Sequence, residues 1–127
     1  VVSGLAFHDP VLPAVSTVTG EAVTPGQWSD PEYWVDQVRR PVRFADAVTA
    51  LDADRVLELG PDGVLTALIA RESGPDTVAV AALRRDRDEA TTLLTAVAEL
   101  FVHGQPVTWR VLFDGTGARP TDLPTYP

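Results

Sequence analysis

Four serines and two histidines are the side chains here that could support hydroxyl–imidazole nucleophilic chemistry: Ser3, Ser16, Ser29, Ser73, His8 and His103. That chemistry needs an imidazole within hydrogen-bond reach of the hydroxyl it deprotonates. No serine lies in a Gly-x-Ser-x-Gly elbow, the strained strand-to-helix turn that presents a nucleophile. The two histidines stand nearly a hundred positions apart. With no cysteine, thiol chemistry and disulfides are excluded, and a zinc ion would have only His and carboxylate ligands. Gly60-Pro61-Asp62-Gly63 is not a phosphate loop: the Gly-x-x-x-x-Gly-Lys pattern is missing and the sequence has no lysine. It reads as a strand-to-helix corner, with glycine supplying permissive dihedrals. Arg84, Arg85 and Arg87 form a small basic group, expected to pair with Asp86, Asp88 and Glu89. Trp28, Tyr33, Trp34, Trp109 and Tyr126 read as packing or interface anchors.

The 127 residues, 45% of them hydrophobic, suffice for one small domain or part of a larger one. A formal net charge of -8 without a basic stripe disfavours the electrostatic grip on phosphates that nucleic-acid binding needs. No apolar run approaches the roughly 18 residues that mark a membrane span. The chain does not begin with Met, and Val1-Val2-Ser3 carries no charged-then-apolar leader. We expect an excerpt of a longer cytoplasmic polypeptide, with neither nucleic-acid nor membrane partners.

The elements that must position any site follow from punctuation and periodicity. Val11 to Val18 reads as a buried or nearly buried strand, and Thr19-Gly20-Glu21 as a turn before a loop from Ala22 to Ser29. Ser29 or Asp30 caps a short helix from Pro31 to about Val38, and Pro41 stops it. A second helix is expected from Val42 to Ala53, with Phe44, Ala47, Val48 and Leu51 inward. Arg55 to Leu59 reads as a strand of a parallel sheet. Val64 to Arg71 reads as a helix with Leu65, Leu68 and Ile69 inward, ended by Gly74-Pro75. Thr77 to Leu83 is a further strand, which completes a βαβ pattern. Asp88 and Glu89 open the longest helix, running to about His103, with Leu93, Leu94, Val97, Leu100 and Phe101 as its apolar stripe and Gly104 as its stop. Val107 to Phe113 carries both strand and helix signals, the helical one favoured. Asp114 to Pro127, rich in Pro and Gly, is expected to lie extended over another surface.

Three blocks of this sequence resemble the acyltransferase of modular (type I) polyketide synthases. They are DPEYWVDQVRRPVRFADAVTAL from Asp30 to Leu51, ELGPDGVLTALI from Glu58 to Ile69, and PVTWRVLFDGTGARPTDLPTYP from Pro106 to Pro127. The run from Ala81 to Gly104 resembles the start of the segment that follows this acyltransferase. The resemblance implies an α/β fold. Residues 1–76 would be the C-terminal portion of the large α/β-hydrolase-like acyltransferase subdomain, with a short parallel sheet. Residues 77–127 would be a post-acyltransferase α/β linker with an extended Pro/Gly-rich tail.

It also implies a reaction. A Ser, activated by a His, takes a malonyl-type group from coenzyme A and passes it to the phosphopantetheine thiol of an acyl carrier protein. A backbone oxyanion hole and a carboxylate-binding Arg assist. The Ser elbow is absent from this sequence, so the chain is expected to be catalytically incomplete and to bind no cofactor itself. Implied partners are the rest of the acyltransferase, the ketosynthase with its adaptor, and the carrier protein. The Arg84–Arg87 group is a candidate contact for that usually acidic carrier.

Gln37 matches the family position whose backbone carbonyl accepts a hydrogen bond from the catalytic His, fixing its tautomer and aim. The competing reading is an exposed helix-end residue. Ala6-Phe7-His8-Asp9 resembles the family's catalytic Ala-Phe-His-Ser. In the family, however, that His lies further upstream of the strand matched by Pro13 to Gly20, so His8 reads as a polar residue near the strand's start. The family usually has His-Pro where Asp62-Gly63 stands, so the corner is expected to differ locally. The alternative function is a non-catalytic structural segment that positions ketosynthase and acyltransferase domains.

Overall fold

Two helix starts in this chain, those of α1 and α4, are set by the side chain of the N-cap residue. In the computed structural model, which describes residues 4–124, the Asp30 carboxylate accepts the Glu32 amide at 2.9 Å and Pro31 occupies the first helical position. Helix α1, Pro31–Arg39, follows. Asp88 caps α4, Glu89–Val102, in the same way, its carboxylate accepting the Thr91 amide at 2.8 Å. These bonds satisfy first-turn donors that have no partner within the helix. They also hold the Asp88 carboxyl below its ordinary value of 3.8, because Thr91 binds the ionised form. A depressed folded pKa adds stability above the unfolded value, lost as pH falls through the folded one. Amide-exchange protection of the first turn of α4 is therefore expected to hold from neutral pH to the region of 3.8 and to fall below it.

Nine elements follow among the described residues, in the order β1 (Val15–Ser16), β2 (Glu21–Ala22), α1, α2 (Phe44–Leu51), β3 (Arg55–Glu58), α3 (Val64–Glu72), β4 (Val78–Ala81), α4 and a 3-10 helix, Trp109–Phe113. β1 and β2 make a short antiparallel hairpin, with Val15 opposite Ala22. β3 and β4 pair in parallel, Arg55 opposite Val78 through Glu58 opposite Ala81, with α3 as the crossover. This is the expected βαβ unit. α2 bridges the parts, touching the hairpin on one side and α3 on the other.

Several boundaries differ from the sequence reading. The strand expected over Val11 to Val18 shrinks to Val15–Ser16, because Pro10 and Pro13 carry no N–H to donate to a ladder. Val11 is 100% and Leu12 77% exposed, where burial was expected. Glu21 and Ala22 belong to a strand, and the turn is Thr17 to Gly20. α2 starts at Phe44 because the Arg43 amide is drawn to the Thr17 carbonyl at 2.8 Å. It stops at Leu51 because Asp52 adopts a left-handed conformation, φ 44°. Within α3, Ile69 and Thr66 are buried while Leu65 and Leu68 are exposed. Within α4, Ala96 and Leu100 are the buried residues, and Leu93, Leu94 and Phe101 are exposed. Val107 to Phe113 yields a 3-10 turn, held by Trp109 edge-on against Phe101, centroids 5.4 Å apart. The described part of the tail is exposed through Leu123 and Pro124. Tyr126, Pro127 and Ser3 lie outside the described residues.

The buried apolar set among the described residues is small and half of it is alanine: Val18, Ala47, Ile69, Val80, Ala81, Ala82, Ala96 and Leu100. Total accessible surface is 9989 Å², where a self-covered 13.6 kDa monomer would expose about 6,600 Å². The excess is about half as much again. Val38, Leu59, Val64, Leu65, Leu68 and Leu123 all contribute apolar area to it. No helix among the described residues is long and apolar enough to cross a membrane.

Candidate functional site

The Gln37 carbonyl is left free by the sequence itself. In an α-helix it would accept the N–H four residues on, and that residue is Pro41, which has none. The neighbouring closure is made, Arg40 donating to the Asp36 carbonyl at 2.8 Å. Arg40 then turns to extended geometry, φ -85° and ψ 154°, as a residue before proline should. α1 thus ends with the Gln37 carbonyl unused by its own helix.

The Gln37 side chain is tied at both ends. Its Nε2 donates to Thr17 Oγ1 at 3.2 Å, and its Oε1 accepts from the Tyr33 hydroxyl at 3.3 Å. Tyr33 Oη lies 2.8 Å from Ser16 Oγ. A phenol has one proton; with that proton given to Gln37, Ser16 must donate to Tyr33. Ser16 Oγ in turn accepts the amides of Val18 at 3.1 Å and Thr19 at 3.2 Å. The result is a directed chain from the hairpin turn, through Ser16, Tyr33 and Gln37, and back to Thr17. Ser16 is 0% exposed, so full satisfaction of its hydroxyl is what makes its burial tolerable.

Aromatic packing supports the same helix. Tyr33 meets Trp34 edge-on at 5.2 Å, Trp28 lies 5.8 Å from Trp34, and Phe7 stacks on Trp34 at 5.5 Å. Trp34 Nε1 donates to the Trp28 carbonyl at 2.9 Å. Trp28, Tyr33 and Trp34 are packing anchors, as their types suggested. On the opposite side, the Arg43 side chain reaches the Thr19 carbonyl at 2.7 Å and the Asp46 carboxylate at 2.7 Å, locking α2 onto the turn that carries Ser16 and Thr17.

A second polar centre was not foreseen. Glu58, at the end of β3, is 8% exposed, and its two carboxylate oxygens accept the amides of Leu65 at 3.0 Å and Thr66 at 2.8 Å. It caps α3 from the preceding strand, a carboxylate at the positive end of a helix dipole. The corner between them is held by the Gly63 amide on Asp62 Oδ1 at 2.9 Å. The legible signal was an acid closing a short strand, directly after Val56 and Leu57 and a few residues before a helix whose own N-terminus, Gly63, offers no side-chain cap.

The arginine group is arranged differently from expectation. Among the described residues Arg85 approaches Asp62 at 3.9 Å, and no ion pair joins Arg84, Arg85 or Arg87 to Asp86, Asp88 or Glu89. Asp88 is occupied as the α4 cap, and Arg84 lies against Gly63. The three arginines edge an open groove of about 800 Å³ shared with Asp62, Asp88 and Glu99.

None of the three described serines has a histidine among its hydrogen-bond partners. Ser16 is committed to its network, Ser29 Oγ donates to the Gly26 carbonyl at 3.1 Å, and Ser73 ends α3. His8 is exposed, and His103 bonds the Glu99 carbonyl at 2.8 Å at the end of α4. Of the sequence candidates, the structure brings Gln37 together with Tyr33, Thr17 and Ser16, and leaves His8, His103, Ser29 and Ser73 apart.

No family model matches the chain. A spectinabilin polyketide synthase system protein, NorB, of Streptomyces orinoci is 42% identical over 131 residues, covering 97% of this chain and 6% of that protein. The acyltransferase domain from the second module of the salinomycin polyketide synthase superposes with a TM-score of 0.77 at 42% identity, over 91% of this chain and 28% of that one. The chain is homologous to a portion of the polyketide synthase acyltransferase domain. The acyl transferase domain of ZmaA agrees, at a TM-score of 0.84 and 27% identity over 97% of this chain. Sequence blocks and fold together are consistent with the C-terminal part of that domain. The chain spans only 6% of NorB and about 30% of the solved acyltransferase domains. The α/β class and short parallel sheet expected from the sequence are those of this polyketide synthase acyltransferase portion.

Proposed function

We propose that this chain closes an acyltransferase that moves a malonyl-type extender unit from coenzyme A to the phosphopantetheine arm of an acyl carrier protein in the cytoplasm. The acyl group rides on a Ser of the same domain lying outside these 127 residues, as does the His that activates it. Residues 1–76 complete the acyltransferase body. Residues 77–127 form the linker that returns towards the ketosynthase and its adaptor, lending β4 to the parallel sheet and packing α4 against it on the way. Gln37 contributes its backbone carbonyl, which accepts the N–H of the catalytic imidazole and fixes its tautomer.

The observation that carries this reading is the proline at the position where the helix would otherwise consume that carbonyl. The apolar faces of α3 and the excess surface support it from another side, since the remainder of the domain would cover them. Incubation of this chain with malonyl- or methylmalonyl-coenzyme A should give no acyl adduct by mass spectrometry. A stable acyl-Ser on Ser3, Ser16, Ser29 or Ser73 would overturn the placement of the nucleophile.

A second reading is favoured by the exposed tail from Asp114 to Pro124. In it the chain's main contribution is to hold ketosynthase and acyltransferase domains in register, without chemistry of its own. Truncation before Asp114 separates the two. Self-acylation of the intact domain from malonyl-coenzyme A is retained if the tail only spaces domains, and lost if the tail supports the acyltransferase body.

A further inference from the structure

We infer that the hydrogen-bond chain Ser16–Tyr33–Gln37–Thr17 aims the Gln37 carbonyl, which makes Ser16, Tyr33 and Thr17 positioning residues for acyl transfer. The inference rests on the reading of Gln37 given above and extends it to Ser16, Tyr33 and Thr17, to which the sequence reading gave no such role. A carbonyl can orient an imidazole whatever side chain its residue carries, so that role does not by itself require the side chain of Gln37. The structure gives it two partners instead, Tyr33 Oη at 3.3 Å and Thr17 Oγ1 at 3.2 Å.

Those partners lie on different elements. Tyr33 is one turn earlier on α1, so its bond stiffens the helix along its own axis. Thr17 belongs to the hairpin turn, so its bond fixes how α1 rotates against a second, independently anchored body. The turn is rigid because Ser16, fully buried, collects the Val18 and Thr19 amides, and because Arg43 holds the Thr17 and Thr19 carbonyl side of it through α2. The last turn of a helix that ends at a proline has lost closing bonds and would otherwise fray. The network supplies the missing restraint at the residue whose carbonyl must not drift.

The test uses the intact acyltransferase domain with malonyl-coenzyme A, reading the rate of acyl-Ser formation and the thermal midpoint. Thr17→Val is isosteric and removes the acceptor; Tyr33→Phe removes the hydroxyl link. Each is expected to lower kcat about tenfold with KM unchanged, the scale set by a small misplacement of a catalytic group. Thr17→Ser, which keeps the hydroxyl, restores most of the rate. The effects of Tyr33→Phe and Gln37→Ala do not add, because both break one chain.

Unchanged kcat in Thr17→Val and Tyr33→Phe overturns the inference. So does a loss that appears as raised KM, or one that Thr17→Ser fails to rescue. Pro41→Ala separates this failure from failure of the parent reading, since it restores an N–H that competes for the Gln37 carbonyl. A slowed Pro41→Ala beside unaffected Tyr33→Phe and Thr17→Val leaves the carbonyl reading standing and removes the network from it. If all three variants are unaffected, both fall.

Discussion

Glu58→Ala is expected to destabilise the fold by about 3 kcal/mol, the scale of two charge-assisted hydrogen bonds with their donors left unsatisfied. The lost acceptors serve the Leu65 and Thr66 amides, and Thr66 is itself buried. Water cannot replace a carboxylate easily there, so the amide desolvation is left uncompensated. Glu58→Gln keeps one acceptor oxygen in nearly the same shape and should recover roughly half the loss. Chemical denaturation measures both. A Glu58→Ala variant within about 0.5 kcal/mol of the parent, the range of a neutral surface change, would show that the cap is incidental. The effect should also be local in exchange, with α3 losing protection before α4, because the capped amides open that helix.

Gly20→Ala is the second large effect, expected at about 2–4 kcal/mol from a strained backbone and a forced separation of two elements. Gly20 sits at φ 74°, and a Cβ there would stand 2.6 Å from the Asp46 Cβ on α2. The obstacle is the root of a side chain rather than its mobile end, so the turn or the helix must move. Movement would break the Arg43 contacts to Thr19 and Asp46. It would also shift Ser16 and Thr17 under Gln37. Gly26, at φ 85° but with open space around its missing Cβ, is the control: Gly26→Ala carries only the backbone strain, about 1–2 kcal/mol. Equal losses at the two glycines would mean that the approach of α2 to the turn does not matter.

These two sites show which parts of the fold could be read in advance. Helix starts at Asp30-Pro31 and Asp88-Glu89 were legible because a cap acts within three residues of itself. The stop at Pro41 and the βαβ order were legible for the same reason, each being punctuation on a short stretch. The strand over Val11 to Val18 was misjudged in length because β-branched composition was weighed above Pro10 and Pro13, which offer no N–H to a ladder and leave only Val15–Ser16 paired. Leu65, Leu68, Leu93 and Leu94 were assigned inward on correct periodicity, but periodicity names a face and not what covers it. Glu58 was hidden in an apolar run, and its partners lie seven and eight residues on, in a different element. Gln37 was reached only by resemblance. Its pairing with Thr17, twenty residues away, depends on how α1 meets the hairpin turn, which no local pattern encodes. The role of Pro41 as the residue that frees a carbonyl is legible in hindsight: a proline four residues after any helical position removes that position's acceptor bond.

The most direct measurement is the distance from the Gln37 carbonyl oxygen to the nearest imidazole nitrogen in a crystal structure of the intact acyltransferase domain. The expected result is a hydrogen bond of about 2.7–3.2 Å, donated by a histidine from outside these 127 residues. A Gln37 carbonyl facing solvent or bonded to its own backbone, with the catalytic imidazole held by some other group, would contradict it.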